Sequence, residues 1–299
     1  MAYLHTPVLL KEVIDGLSLQ RGDIYLDATL GGGGHAEEVW KRMGNSVQIA
    51  GIDLDETALE IARNKLEMAG CKPKLTLQNF RNIDRAVEIL DIENPSKIVF
   101  DLGWNSMQVE EGERGFSFQK DEPLLMTFSK EENPEVTTAY DIVNFWQEEN
   151  IADIIYAYGE ETFSRRIAKK IVEEREKCEI KSSLQLAEIV KSAVPIFYRF
   201  GRIHPATKTF QAIRIAVNDE LQALKEGLEK AFKLLKKDGR MAVISFHSLE
   251  DRIVKTFFKG LEEKDELEII NKKPIIAGEE EIERNRKSRS AKLRIIRKI

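Results

Sequence analysis

A parallel, doubly wound α/β sheet carrying an all-helical insertion is the fold this sequence predicts, on three observations. Over the first hundred residues, short apolar runs alternate with helical stretches. That rhythm disappears between about Glu110 and His204, where helical periodicity continues without a convincing strand. It then resumes and closes with two late apolar runs. These changes divide the chain into a discontinuous core, residues 1–109 and 205–299, and an insertion, residues 110–204. A length of 299 residues fits two such parts, because a single hydrophobic core rarely grows so large.

Thr6 before Pro7 reads as an N-cap with proline in the first helical position, opening a helix through Val8, Leu9, Val13 and Ile14 that stops near Gly16. Residues 24–26, 47–52, 75–77 and 98–100 are apolar runs of strand length, separated by helical stretches such as 56–68. Strands joined through helices run parallel, which gives the doubly wound sheet. In the insertion, 152–176 and 183–194 read as helices. The core returns with a helix from about Ile213 to Lys236, a turn at Asp238-Gly239, a strand over 241–245 and a helix opening near Ser248. Ser248 to Asp251 fits a capping box. Residues 267–270 and 293–296 suit a closing antiparallel pair.

Composition narrows the class. Hydrophobic residues at 42% with charged ones at 32% supply a sizeable core and exclude disorder for most of the chain. No uncharged run exceeds ten residues, against the ~20 apolar residues of a spanning helix, and the first ten lack the basic start of a signal peptide. A soluble, cytoplasmic protein without a membrane partner is expected. Cys71 and Cys178 are too far apart for a knuckle motif and fit a reducing compartment. The four histidines lack ligand spacing, so no metal site is expected. The net charge of −5 hides segregation: 110–161 carries 14 acidic and 3 basic residues, and 163–214 carries 12 basic and 5 acidic. Residues 284–299 carry 8 basic residues and no acid. The basic segments suit a polyanion, and solvated helix faces are the other reading.

The first strand runs through Asp27 into Gly31, Gly32, Gly33, Gly34 and His35, with a helix to follow. Consecutive residues without Cβ allow a sharp turn and bring backbone N–H groups against a ligand at a helix N-terminus. The run scans as G-x-G-x-x-A, a dinucleotide fingerprint, and Asp53 ends the next strand 22 positions after Gly31, where a carboxylate meets ribose hydroxyls. A tight loop and a helix cap are the structural alternatives; strand, loop, helix and acid in register favour nucleoside binding. Asp27 separates two cofactors. An acid just ahead of the glycines suits the cationic amino acid portion of S-adenosylmethionine, whereas a hydride enzyme holding a pyrophosphate has no use for it. Asp101, ending the fourth strand, is a further acceptor at the same rim. An NAD-dependent oxidoreductase stays as the alternative.

Three strings are harder to explain generically: DLGWNSMQ with RGFSF (101–108 and 114–118), HPATKTFQAIRIAVN (204–218) and SFHSLEDRIVK (245–255). With HTPVLL near the start, GGGGH at 31–35 and SRSAKLR at 288–294, the chain resembles, end to end, the 16S rRNA cytosine-N4 methyltransferase family RsmH, formerly MraW. The resemblance implies a class I S-adenosylmethionine methyltransferase core, Rossmann-like, with a helical substrate-recognition insertion. The implied substrate is the exocyclic amine of a cytidine in the decoding region, on 16S rRNA or the small ribosomal subunit. Implied cofactor contacts fall on Gly33, Gly34, His35, Asp53, Phe80, Asp101 and Gln108. Phe80 as core packing and Gln108 as a solvated loop residue are the alternatives. Two departures fall on the substrate side: Trp104-Asn105-Ser106 stands where V-S-S is usual, and Leu125 and Thr127 replace an acid and an arginine. The departures at Leu125 and Thr127 are the only support for a third reading, a non-catalytic ribosome-assembly factor with a degenerate site.

The cytosine amine has its lone pair delocalised into the ring, so methylation needs acceptors that draw its protons and aim the nitrogen. Asp101 and Asn105, just past the fourth strand, are the catalytic candidates. A base leaving its stack needs an aromatic wall; Trp104, Phe116 and Phe118 are candidates, and core packing fits the two phenylalanines equally. His204, Lys208, Arg214, His247 and Arg252 include candidate phosphate contacts. Lys208 and Arg214 point to different sides of one helix, so at least one is structural. The oligomeric state stays open.

Overall fold

The computed structural model describes residues 7–103, 113–128 and 136–299. The chain forms two compact units: Met1–Gly103 with Leu221–Ile299, and Trp104–Glu220.

The first unit contains a seven-stranded sheet made of β1 (Ile24–Asp27), β2 (Gln48–Asp53), β3 (Lys74–Leu77), β4 (Lys97–Asp101), β5 (Arg240–Ser245), β6 (Leu267–Ile269) and β7 (Lys292–Lys298). Their order is β3-β2-β1-β4-β5-β7-β6. The first five run parallel, and β7 pairs antiparallel with both β5 and β6. Every strand expected from the sequence is present, including the closing antiparallel pair. Alternate side chains enter opposite cores: Leu26, Ile98, Phe100, Met241 and Val243 on one face, and Tyr25, Ile49, Val99, Ala242 and Ile244 on the other. With helices over both faces, the strands read as continuous apolar runs. The chain winds outward from β1 through β2 to β3 and then restarts at β4 on the other side. The switch between β1 and β4 is where such sheets open a crevice at their carboxyl ends.

The second unit is helical. Thr138 and Asp141 cap Ala139–Phe145 reciprocally, and Ser182 caps Ser183–Ala193. Between them lie Glu148–Gly159 and Ser164–Arg175. The single helix expected over 152–176 is therefore two. Glu160 in the left-handed region (φ +48°) ends the first, and a Cβ at Gly159 would lie 2.6 Å from the Lys208 carbonyl oxygen.

Other expectations are corrected as well. The units divide after Gly103 and after Glu220, not at 109 and 204, because the helix Ala206–Asn218 buries Ala206, Phe210, Ala212 and Ile213 in the helical unit's core. The helix read from about Ile213 to Lys236 is this helix and a second, Glu220–Leu234, separated by Asp219 at φ +47°. The first helix is Leu10–Leu17, entered through Leu9 at φ +51° rather than at Pro7; Thr6 lies outside the described residues. The capping box before the helix Ser248–Glu262 is made by His247 and Glu250, so Ser248 is its first helical residue. Among the described residues no helix is long and apolar enough to cross a membrane.

Candidate cofactor and active site

Three adjacent parallel strands, β2, β1 and β4, each end in an aspartate: Asp53, Asp27 and Asp101. Parallel pairing puts all three carboxylates at one edge of the sheet, above the switch point. The loop after β1 is tied to both neighbours. Gly31 N–H donates to Asp53 Oδ2 at 2.7 Å, Leu30 N–H to the Ile52 carbonyl at 2.9 Å, and Asp101 N–H to Thr29 Oγ1 at 2.6 Å. Asp27 accepts from the Tyr25 hydroxyl at 2.9 Å and from Thr29 N–H at 3.2 Å. Tyr25 and Thr29 are partners of these carboxylates that the sequence reading missed. Alternation along β1 puts Tyr25 on the same face as Asp27, and the gap between Asp27 and the glycines marks Thr29.

Packing against the protein itself accounts for two of the glycines. At Gly33 (φ +73°) a Cβ would stand 3.0 Å from the Ala62 Cβ, on the helix Glu56–Met68. At Gly34 it would lie 2.3 Å from the Pro7 ring. His35 is buried, with Nε2 3.1 Å from the Val8 carbonyl oxygen, so that nitrogen carries the proton. Its Nδ1 stands 3.8 Å from Asp101 Oδ2.

The carboxylates share a poorly solvated place. Burial, with the Asp53 charge added, lifts Asp27 to about 7 against the hydrogen bonds that pull it down. Burial likewise lifts Asp53 to about 6. Asp101 is pushed well above the usual carboxylate range, first by burial and then by the charges of Asp27 and Glu250. Its Oδ1 is buried and has no hydrogen-bond partner among the described residues. Such a row favours a cation and repels a pyrophosphate. The Gly31 and Gly33 amides already donate within the protein, Gly33 to the Leu30 carbonyl at 2.9 Å. The residues present therefore fit S-adenosylmethionine, with its sulfonium and ammonium, better than NAD.

Phe80 packs edge-on against Phe100 with centroids 5.8 Å apart, and a Cβ at Gly227 would lie 2.8 Å from its ring. Trp104, Asn105 and Gln108 lie outside the described residues. Glu250, unremarked as a site residue in the sequence, is 4% exposed and accepts from Phe246 N–H at 2.8 Å.

In the helical unit, Phe116 stacks on Phe128 at 5.6 Å and Phe118 on His204 at 4.5 Å, both against the core. Arg114 is buried and donates to the carbonyls of Thr127 (3.0 Å) and Phe128 (2.9 Å), so at one departure from the family pattern the backbone of Thr127 is in structural use. Arg214 is structural too: it is 5% exposed and holds Glu220 through two bonds of 2.7 and 2.9 Å. Lys208 Nζ donates to the Glu160 carbonyl at 3.0 Å. Of the basic tail, Lys292 and Arg294 pair with Asp251, Arg297 pairs with Asp238 and Glu268, and Lys298 donates to three carbonyls at 2.8–3.1 Å. Much of the positive charge read from the sequence is thus neutralised locally, while Arg286, Lys287 and Arg289 stay exposed.

A sequence profile of the MraW methylase family matches residues 2–299. Three relatives carry the name ribosomal RNA small subunit methyltransferase H. The one from Persephonella marina is 47% identical, and that from Sulfurihydrogenibium sp. 46%, each over 295 residues and 99% of both chains. The one from Clostridium botulinum is 45% identical over 315 residues and 100% of both. Among solved structures, the rRNA methylase from Streptococcus thermophilus aligns with a TM-score of 0.45 and 13% identity, over 97% of this chain and 92% of its own.

Proposed function

This chain belongs to the MraW methylase family, and from that premise we propose that it transfers a methyl group from S-adenosylmethionine to the N4 amine of a cytidine in the decoding region of 16S rRNA. One observation carries the chemical side of this reading: the row of three poorly solvated carboxylates at the ends of β2, β1 and β4, one of them with an oxygen that has no hydrogen-bond partner among the described residues. The bound cofactor supplies an electrophilic methyl on a positively charged sulfur. Asp53 holds the ribose hydroxyls with the lone pairs its two backbone bonds leave over, and Asp27 fixes the loop through Thr29. Gly33, Gly34 and His35 form the loop wall, with Phe80 and Gln108 near the adenine and beyond the fourth strand.

Asp101 serves both partners. Its Oδ1, without a hydrogen-bond partner among the described residues, would accept from the amine, and its raised pKa suits a group that would take the amine's proton. Asn105 adds a second acceptor that turns the nitrogen toward the methyl. The substrate is 16S rRNA or the small subunit that contains it.

The decisive test is mass spectrometry of small-subunit rRNA nucleosides, prepared with and without the protein. Appearance of N4-methylated cytidine only with the protein is the expected result. A protein whose melting temperature rises with NADH and not with S-adenosylhomocysteine would overturn the cofactor. Cofactor binding without methyl transfer to naked rRNA or to subunits would leave an assembly factor.

A further inference from the structure

The turn after the helix Ser183–Ala193 carries side chains that neither the helical core nor the proposed chemistry uses. Ile196, Phe197 and Phe200 are 70%, 75% and 84% exposed. They occupy neighbouring positions around the short helix Ile196–Arg199 and its end, so their apolar surfaces lie together. Their neighbours point inward. The Tyr198 hydroxyl donates to buried Glu161 Oε2 at 2.6 Å, and its ring meets Phe163 edge-on at 5.0 Å. Arg199 fastens the same turn to the preceding chain, with Nε 3.2 Å from the Val194 carbonyl oxygen and Nη2 3.1 Å from that of Ser192. The exposed rings therefore stand on a turn held at three points.

A group of large apolar side chains presented to solvent implies an occupant, and the local charge indicates which. Between Ile189 and Asn218 the sequence has five basic residues and no acidic one, in a chain with 51 acids in all. Exposed Arg202 follows Phe200 by two positions. Flat aromatic faces beside an exposed cation, on a segment that carries no acid of its own, are a composition that grips single-stranded nucleic acid, because every base has a π-face and every linkage a negative charge.

We propose that Phe197 and Phe200 form a stacking platform for unpaired bases of the RNA, with Arg202 as its cationic rim. This rests on the proposed rRNA substrate and adds where bases, as distinct from phosphates, are held.

The test uses fluorescence anisotropy with a labelled single-stranded fragment of the 16S decoding region and a duplex of the same length. F197A/F200A changes only exposed side chains, and an unchanged thermal melt verifies its fold. Its affinity for the single strand is expected to fall about 5- to 100-fold per stacked base, with the salt slope unchanged and the duplex barely affected. R202E should instead flatten the slope, by roughly 0.7 for one phosphate on a single strand. F200W should show indole quenching by oligo(U) beyond that of the parent. Parental affinity in F197A/F200A, equal losses on strand and duplex, or no added quenching in F200W would each overturn the platform. So would a parent dimer that F197A/F200A turns into a monomer with RNA affinity intact, since the patch would then be a subunit contact. A parent protein that binds neither RNA nor small subunits overturns the substrate reading itself, and the platform with it.

Discussion

Replacing Asp27 with asparagine should make the cofactor-free protein more stable while weakening its cofactor site. In the folded protein Asp27 titrates at about 7 against an ordinary value of 3.8, chiefly because it is buried. A folded-state pKa above the unfolded one favours folding while the group is protonated, and the advantage is lost as pH rises through about 7. At about 1.4 kcal/mol per pKa unit, the ionised carboxylate costs about 4 kcal/mol above pH 7. The uncharged amide of the Asp27→Asn variant avoids that cost. In Asp27→Asn one oxygen still accepts from Thr29 N–H, as at 3.2 Å in the parent, while the amide N–H donates to the Tyr25 oxygen and so reverses the bond that Tyr25 donates to the carboxylate at 2.9 Å. Scanning calorimetry of the parent and Asp27→Asn between pH 4 and pH 8 is the assay. The variant's melting temperature should match the parent's near pH 4 and exceed it increasingly up to pH 7–8, by about 8–16 °C at 2–4 °C per kcal/mol. A gap independent of pH, or a variant less stable at pH 8, would refute a charged, poorly solvated Asp27.

Cofactor affinity should itself depend on pH. A cation binds the deprotonated carboxylates, so S-adenosylmethionine affinity should fall as pH drops below about 7 and then 6, with proton release visible by calorimetry in buffers of different ionisation enthalpy. Asp53→Ala should weaken the cofactor by about 1–3 kcal/mol, with additional loosening of the loop because Gly31 N–H loses its acceptor; Asp53→Asn, which restores an acceptor for Gly31, should recover part of the affinity. Asp101→Ala should suppress turnover with the fold intact, and a rate in Asp101→Asn well above alanine would identify hydrogen bonding as the operative property. Arg214→Met removes both of its bonds to the poorly solvated Glu220 carboxylate and should lower stability, read by thermal melting of the protein without RNA.

The strands and the aspartates that close three of them were legible because each is written locally. β1, β2, β4 and β5 are buried on both faces, so each reads as an unbroken apolar run, and an aspartate closes three of them where the backbone leaves the sheet. The glycine run marked the loop correctly, yet its residues are glycine for more than one reason. Gly33 and Gly34 meet Ala62 and Pro7, contacts that become visible only when segments distant in sequence are folded together.

Local patterns thus determined a doubly wound sheet, its strand ends and the glycine loop after the first strand from sequence alone. The tertiary structure decided what depends on partners far along the chain. The apolar stripe of Ala206–Asn218 does not say which core will cover it, and packing assigned it to the helical unit. A count of lysines and arginines cannot distinguish a free cation from Arg294 held by Asp251 at 2.7 Å or Arg214 held by Glu220 at 2.7 Å. His247 became a helix cap through the backbone geometry at its own position, and Asp27 acquired a pKa near neutrality from burial. Periodicity and turn chemistry are properties of neighbouring residues, whereas charge pairing, solvation and the unit boundary are settled by long-range contacts.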